Sequence, residues 1–186
     1  KEGDKNVELK AWDVSYYSEK IKQEKLGLKE EELKPYFSLD KVLEGLFKLA
    51  NNLFGILIRE SNNETEVWDS DVKFFKIYDE NTGDHIASFY LYPYSRPGEK
   101  NGGAWMNTCI GKSKLMNKKP VAYLICNGSP PIKDEENPTN SKPSLMTFDE
   151  VVTLFHEFGH GLQHMLTSIE EASAAGINNI EWDAVE

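Results

Sequence analysis

The segment from Thr147 to Thr167, with the sequence TFDEVVTLFHEFGHGLQHMLT, constrains the fold more than any other part of the chain. Thr147 and Glu150 have the spacing of a capping box, in which each side chain accepts a hydrogen bond from the other residue's backbone N–H at a helix start. Apolar residues then recur with helical spacing at Val151, Phe155, Phe158, Leu162 and Leu166. The pattern predicts a long helix, to about Thr167, that buries this apolar stripe.

His156, Glu157 and His160 form an H-E-x-x-H motif on another side of this predicted helix. Two imidazoles at positions i and i+4 can bind one Zn²⁺ ion, and the intervening carboxylate can accept a proton from water at the metal. Gly159 and Gly161 each cost ~1 kcal/mol relative to alanine inside a helix. Close approach of another backbone or of a ligand would explain them. We therefore expect one zinc ion at His156 and His160, with Glu157 as the general base.

The third protein ligand of such a site has to come from elsewhere in the chain. Gln163 and Leu166 occupy the positions where a metzincin has glycine and histidine, which excludes that class. A glutamate from a later segment is then the natural ligand, leaving a fourth position for water, as catalytic sites require. Asp183 can cap a new helix in which Glu186 occupies the third position, and Glu181 is the rival to Glu186.

A sheet is predicted between residues 67 and 127, where β-branched and aromatic residues alternate with a period of two. The predicted strands cover residues 72–78, 86–92, 104–110 and 121–126. The first two should form an antiparallel hairpin across a turn-rich connection. The last is nearly all apolar and should lie inside the sheet. Helical spacing predicts two further helices, over residues 13–25 and 38–52. The predicted fold class is α+β, with a small, largely antiparallel sheet.

Composition narrows the classes of partner. Lys and Arg total 21 against 31 Asp and Glu, a net charge of −10, and a nucleic-acid partner is excluded because such a surface needs a basic excess. No apolar run approaches the ~18 residues of a membrane helix. Two cysteines do not make a disulfide framework, which favours a reducing compartment. We expect no membrane partner and a monomeric protein.

Several stretches, in order along the chain, carry a resemblance to a known family. HEFGHGLQHMLT is followed by Gly176 and by WDAVE at residues 182–186. The other stretches are AWDVSYYSEK at 11–20, KPYF at 34–37, FYLYPY at 89–94, GGAWM at 102–106 and PVAYLICN at 120–127. The series covers essentially the whole chain and resembles the thimet oligopeptidase family of zinc peptidases, most closely its oligopeptidase A branch.

The resemblance implies roles for particular residues. It assigns the zinc ligands to His156, His160 and Glu186, the catalytic base to Glu157, and the orientation of a ligand to Asp183. Some members of the family have a histidine at the position of Gln163, whereas here the histidine is His164. We therefore interpret His164 as a histidine of the core or one that supports a ligand.

The resemblance also implies an architecture and a substrate. It predicts a mostly helical, two-lobed protein of the zincin type, with a deep channel that admits short unstructured peptides. Gly102, Gly103, Ala104 and Trp105 would form part of the channel wall, where an extended peptide pairs main chain to main chain. The compartment would be the cytoplasm or an organelle lumen such as that of a plastid or mitochondrion.

Within a larger peptidase, residues 1–186 would form part of the catalytic domain. We divide them into a helical region (1–66), the small sheet (67–127), a loop (128–146) and the zinc-binding helix with the third-ligand segment (147–186). Because Glu186 is the last residue, a ligand at that position would be poorly held. We expect this piece by itself to be inactive.

Two other functions compete with a zinc metalloendopeptidase. A different H-E-x-x-H zinc hydrolase, such as a deformylase, would normally bring a cysteine ligand, but Cys109 and Cys126 lie in strand-like segments without such a motif. A catalytically inactive structural zinc module would need four protein ligands rather than three and a water. The number of solvent ligands at the metal would separate these possibilities.

Overall fold

The computed structural model describes residues 9–27, 29–132 and 142–186. The helices are α1 (Ala11–Leu26), α2 (Glu30–Leu33), α3 (Leu39–Phe54), α4 (Phe148–Met165) and α5 (Trp182–Val185). The strands are β1 (Ile56–Glu60), β2 (Lys73–Asp79), β3 (His85–Tyr94), β4 (Trp105–Ile110) and β5 (Val121–Gly128). This mixture of helices with a five-stranded sheet confirms the α+β class.

The strands lie in the order β1-β2-β3-β5-β4, and all neighbours are antiparallel except the parallel pair β3 and β5. The predicted hairpin of β2 and β3 and the internal position of β5 are confirmed. The parallel pairing was not predicted, because an apolar run indicates burial but not the identity of its neighbour. β4 consequently lies at an edge of the sheet.

β1 corrects the prediction that residues 1–66 are helical. Gly55 ends α3 with φ +62° and donates its N–H to the Asn51 carbonyl at 2.8 Å. The chain then turns into the sheet, with Ile56 buried and paired opposite Asp79. The continuous Ile-Leu-Ile run masks the alternation expected of a strand with one buried face.

The loop predicted over 128–146 falls partly outside the described residues, since 133–141 are not among them. On either side of that gap, Ile132 and Lys142 exchange two backbone hydrogen bonds, of 3.0 and 2.8 Å.

The core lies between one face of the sheet and the helices α3 and α4. Phe158 of α4 meets Phe89 of β3 edge to face at 5.7 Å between ring centroids, and Phe89 stacks on Phe75 of β2 at 4.9 Å. Aromatic pairs of this kind add ~0.5–1.5 kcal/mol beyond the apolar area that they bury. These contacts fix how α4 lies across the sheet.

The buried stripe of α4 is rotated from the predicted one. Leu154, Phe158 and Met165 are at most 2% exposed, whereas the predicted Val151, Phe155, Leu162 and Leu166 are only partly buried. The rotation follows from Gly161, where an added Cβ would lie 3.1 Å from Leu124 Cδ2 of β5. The glycine lets the sheet approach, which accounts for one of the two helical glycines.

Outside this core, some large aromatic side chains are exposed to solvent. The opposite face of the sheet carries an aromatic group in which Trp68 contacts Tyr90, Tyr92 and Tyr123 at 5.4–6.0 Å between ring centroids. α1 covers its predicted range but exposes apolar side chains, including Trp12 at 75%. No helix in the described ranges has the length and apolar character needed to cross a membrane.

Candidate metal centre

α4 positions the two histidines of the H-E-x-x-H motif. The predicted capping box is present: Glu150 N–H donates to Thr147 Oγ1 at 3.1 Å, and Thr147 N–H donates to Glu150 Oε2 at 2.7 Å. The 18-residue helix then carries His156 and His160 one turn apart. Their Nε2 atoms are 2.9 Å from each other, with ring planes at 83°. The two imidazoles thus converge on one point.

The segment from Thr167 to Glu186, here called the Glu186 arm, returns to these histidines. One Glu186 oxygen, Oε2, lies 3.2 Å from His156 Nε2, and the other, Oε1, lies 3.6 Å from His160 Nε2. Among the described residues, these three form the one group of at least three possible metal ligands whose ligand atoms lie within 4.8 Å of one another. Glu181, the rival, precedes α5 and is outside the group.

The spacing of these three residues fits a shared ion. A tetrahedral zinc ion with bonds of about 2.0–2.2 Å to nitrogen and oxygen separates its ligand atoms by about 3.3 Å. The observed separations are 2.9, 3.2 and 3.6 Å. Two imidazole nitrogens and a carboxylate are also a common ligand set of catalytic zinc. The residues present therefore fit this metal.

Glu157 lies beside the three candidate ligands but belongs to the buried side of α4, with 7% of its surface exposed. Burial raises the pKa of Glu157, as does the charge of Glu186, while His156, His160 and the backbone N–H of Met106 oppose the change. A carboxylate with a raised pKa is a better proton acceptor. The arrangement places a buried carboxylate next to the point where the histidines converge.

A groove of about 420 Å³ opens over these residues and is here called the metal groove. Besides the motif residues and Glu186, its walls are Ala104–Thr108, from the edge strand β4 and the residue before it, and Ile177, Asn178, Trp182 and Val185 from the Glu186 arm. The sequence did not identify the wall residues Asn107 and Thr108 of β4, nor Ile177, Asn178, Trp182 and Val185 of the arm. Residues in short or irregular segments have no period that would reveal them.

Known proteins are similar to this chain over nearly its whole length. The family model for peptidase family M3 matches residues 1–186. The chain belongs to peptidase family M3. It is 52% identical over 94% of its length to organellar oligopeptidase A, chloroplastic/mitochondrial, of Arabidopsis thaliana, and 48% identical over 96% to oligopeptidase A of Escherichia coli. It is 39% identical over 96% to a dipeptidyl carboxypeptidase of Salmonella typhimurium. The chain spans about a quarter of the length of these relatives, 22–25%.

The residues predicted for substrate binding in this M3 chain divide between two cavities. Ala104 and Trp105 line the metal groove. Gly103 lines instead a mostly apolar cavity of about 250 Å³ that shares Ala104 with the groove, and Gly102 lines neither. The substrate role of all four residues stays a prediction.

Asp183 and His164 differ in their surroundings. Asp183 lies exposed in the first turn of α5, and its side chain has no hydrogen bond or ion pair within the described ranges, so its orienting role stays a prediction. His164 is fully buried and donates Nε2–H to the Ile110 carbonyl at 3.1 Å. Burial lowers the pKa of His164. Its position in the core agrees with one of the two interpretations made from the sequence.

Neither cysteine joins the candidate ligand group. Burial, followed by the charge of Glu157, raises the pKa of Cys126 to about 12. Cys109 hydrogen-bonds the Tyr123 hydroxyl, which raises the pKa of Tyr123 to about 12. A protonated, buried thiol is a poor metal ligand because the thiolate is the binding form.

Proposed function

We propose that this chain forms the zinc site and part of the substrate groove of a zinc-dependent endopeptidase that hydrolyses short, unstructured peptides. The observation that carries the proposal is the convergence of His156, His160 and Glu186 beside the buried carboxylate of Glu157. Membership of peptidase family M3 and similarity to proteins named oligopeptidases support it. As part of this proposal, α4 is the active-site helix of a zincin-type catalytic region.

The proposed chemistry divides between the metal and Glu157. Zinc held by His156, His160 and Glu186 would supply a Lewis acid that polarises the scissile carbonyl and makes water more acidic. Glu157 accepts the proton of the attacking water and then delivers it to the leaving amine. Burial raises the pKa of Glu157, which strengthens the carboxylate as the proton acceptor in the first step.

The proposed substrate binds along β4. Because this strand lies at the sheet edge and its residues line the metal groove, an extended peptide can pair with its backbone. Ala104 and Trp105 would contribute to this side of the metal groove. Gly102 and Gly103, just before them in the chain, would contact the substrate outside the groove, where an added Cβ meets no atom within 4 Å and a main chain has room. An extended binding mode selects unstructured peptides, since a folded protein offers few free backbone segments.

The competing functions have less support. A structural zinc module needs four protein ligands, whereas the described residues bring three together. A zinc hydrolase with a cysteine ligand needs a thiolate at the metal, whereas Cys126 has a raised pKa and lies outside the ligand group. An exopeptidase that releases dipeptides is the alternative suggested by the similarity to a dipeptidyl carboxypeptidase.

We also propose that the whole protein is a monomer that acts without a membrane or nucleic acid, in the cytoplasm or in a plastid or mitochondrion. Similarity to the organellar oligopeptidase A of Arabidopsis thaliana supports an organelle. The net charge of −10 argues against a nucleic-acid surface.

A peptide with acetylated and amidated ends tests the reaction class. We expect the full-length protein to cleave this peptide at internal bonds. Cleavage should stop when a chelator removes the metal and resume when zinc is added. Mass spectrometry of the products identifies the bond. Release of C-terminal dipeptides from an unblocked peptide, with the blocked peptide left intact, would indicate an exopeptidase instead. Bound zinc without cleavage of either peptide would contradict the proposal.

A further inference from the structure

The Glu186 arm is held to the rest of the molecule largely by polar contacts that are exposed or only partly buried. Lys112 Nζ donates to the Thr167 carbonyl at 2.7 Å, and Lys114 pairs with Glu170 at 2.5 Å. Farther along, Thr108 Oγ1 donates to Asn178 Oδ1 at 3.1 Å. Exposed polar contacts contribute little to holding one geometry, because water competes for the same groups. A more buried contact is needed to position Glu186.

That contact joins Gly176 to His164. Ala175, the neighbour of Gly176, is 1% exposed, and His164 is 0% exposed. A Cβ added to Gly176 would lie 2.5 Å from His164 Nδ1, 3.2 Å from Cε1 and 3.4 Å from Cγ. Gly176 also has φ +75°, a conformation that side chains with a Cβ disfavour. The glycine therefore allows the arm to lie directly against the imidazole ring.

The ring itself is fixed from its other side. Nε2–H donates to the carbonyl of Ile110, at the end of β4, so Nδ1 carries a lone pair that points towards the arm. Within the described ranges, His164 Nδ1 is a buried side-chain atom with no hydrogen-bond partner. An apolar side chain at this position would fill the space without an unpaired nitrogen, but it could not donate a hydrogen bond to the Ile110 carbonyl. One imidazole thus connects β4, α4 and the Glu186 arm.

We propose that His164 is a positioning residue that sets the place of the Glu186 arm, and hence the affinity of the site for zinc, through its contact with Gly176. The inference rests on the proposed zinc site. His164 lies one turn beyond His160 on the same helix, so its ring defines the position of the arm relative to the two histidine ligands. Ligand geometry has to be held to within ~0.5 Å, and loss of supporting contacts typically weakens metal binding by ~10–100-fold.

Two glycine substitutions in the full-length protein test this contact. Gly176→Ala forces a methyl group into the His164 ring. Gly83→Ala is the matched control, because Gly83 has φ +74° but an added Cβ there meets no atom within 4 Å. Both alanines would have nearly the same positive φ, so a difference between the variants in zinc affinity is attributed to the contact with His164. Zinc affinity is measured by competition with a chelator, and unfolding of the metal-free proteins is followed in parallel.

We expect Gly176→Ala to weaken zinc binding about tenfold or more, and Gly83→Ala to leave it within about twofold of the wild type. Combining each change with His164→Ala gives a second readout. Once the ring is absent, Gly176→Ala should weaken zinc binding by no more than about threefold. A general loss of stability would not depend on His164 in this way.

Three results would overturn the inference. One is an equal effect of Gly176→Ala and Gly83→Ala on zinc affinity, and this comparison holds even if His164→Ala does not fold. Another is an effect of Gly176→Ala that is the same with and without the imidazole. The third is the absence of stoichiometric zinc from the wild-type protein, which would overturn the proposed function as well, whereas the first two would leave it standing.

Discussion

α4 and the Glu186 arm bring ligands to the same point by different means. α4 is an 18-residue helix with a complete capping box, and Leu154 and Phe158 bury one side of it against the sheet. The arm contains one helix of four residues, and most of its side chains are exposed. The two histidines are therefore placed by a rigid element, while Glu186 depends on contacts between segments. The candidate site therefore has a preorganised half, which is the two histidines of α4, and a dependent half, which is Glu186 and relies on the contacts of the arm.

Removal of a ligand from the rigid half should have the largest effect. His156→Ala or His160→Ala leaves two of three protein ligands, so we expect loss of both zinc and activity. Metal analysis and a peptide-cleavage assay on the purified full-length variants check this. Stoichiometric zinc in either variant would show that the helix does not supply the ligands.

A protein that consists of residues 1–186 alone tests how well the arm holds Glu186. We expect residues 1–186 by themselves to show little or no peptidase activity, because the arm has few buried contacts to hold Glu186 in place. A quenched-peptide assay and metal analysis of this piece measure the effect. Robust turnover that a chelator abolishes would mean that the arm is held better than its exposure suggests.

Glu157→Gln should separate metal binding from catalysis. The amide keeps the shape of the side chain but cannot accept a proton, so we expect retained zinc and a fall in turnover of ~10²–10⁴-fold. Metal content and kcat are measured on the same sample. Wild-type turnover in this variant would exclude Glu157 as the base.

Within the arm, Glu186→Gln and Glu181→Gln form a matched pair. Glu186 lies 3.2 Å from His156 Nε2, whereas Glu181 is exposed and outside the ligand group. We expect Glu186→Gln to weaken zinc binding by at least ~100-fold and Glu181→Gln to leave it unchanged. Chelator competition measures both, and the opposite order would restore Glu181 as the ligand.

The smallest expected effect is that of the helix cap. Thr147→Ala removes the acceptor for Glu150 N–H and should lower the free energy of unfolding by ~1 kcal/mol. Denaturant unfolding of the full-length protein measures this, provided that the transition is two-state. Because the core contacts of α4 remain, zinc affinity should change less than it does in Glu186→Gln. A larger loss of zinc than in that variant would mean that the helix is less rigid than proposed.

The same contrast explains which parts of the molecule the sequence predicts. The start of α4 and the convergence of its two histidines follow from local spacing, which a capping box and a helical period make visible. The rotation of its buried stripe does not, because it depends on how Gly161 meets Leu124 of β5. β1 was also missed, because its short apolar run has no alternating pattern. Its place in the sheet is decided by its pairing with β2, in which Ile56 lies opposite Asp79.

The site could be predicted in part for similar reasons. Glu186 was named as a candidate from its position after Asp183, but the choice over Glu181 depends on the course of the arm. The contact of His164 with Gly176 joins a helix to an irregular segment, and no local pattern in either announces it. Contacts between distant segments are decided by packing, which the sequence expresses only through the complete fold.

Crystals of the full-length protein, measured at the zinc absorption edge, would test the central claim most directly. We predict one strong anomalous peak per chain, within ~2.2 Å of His156 Nε2, His160 Nε2 and a carboxylate oxygen of Glu186. A peak coordinated by a cysteine sulfur, or one that contacts the histidines but not Glu186, would contradict the account.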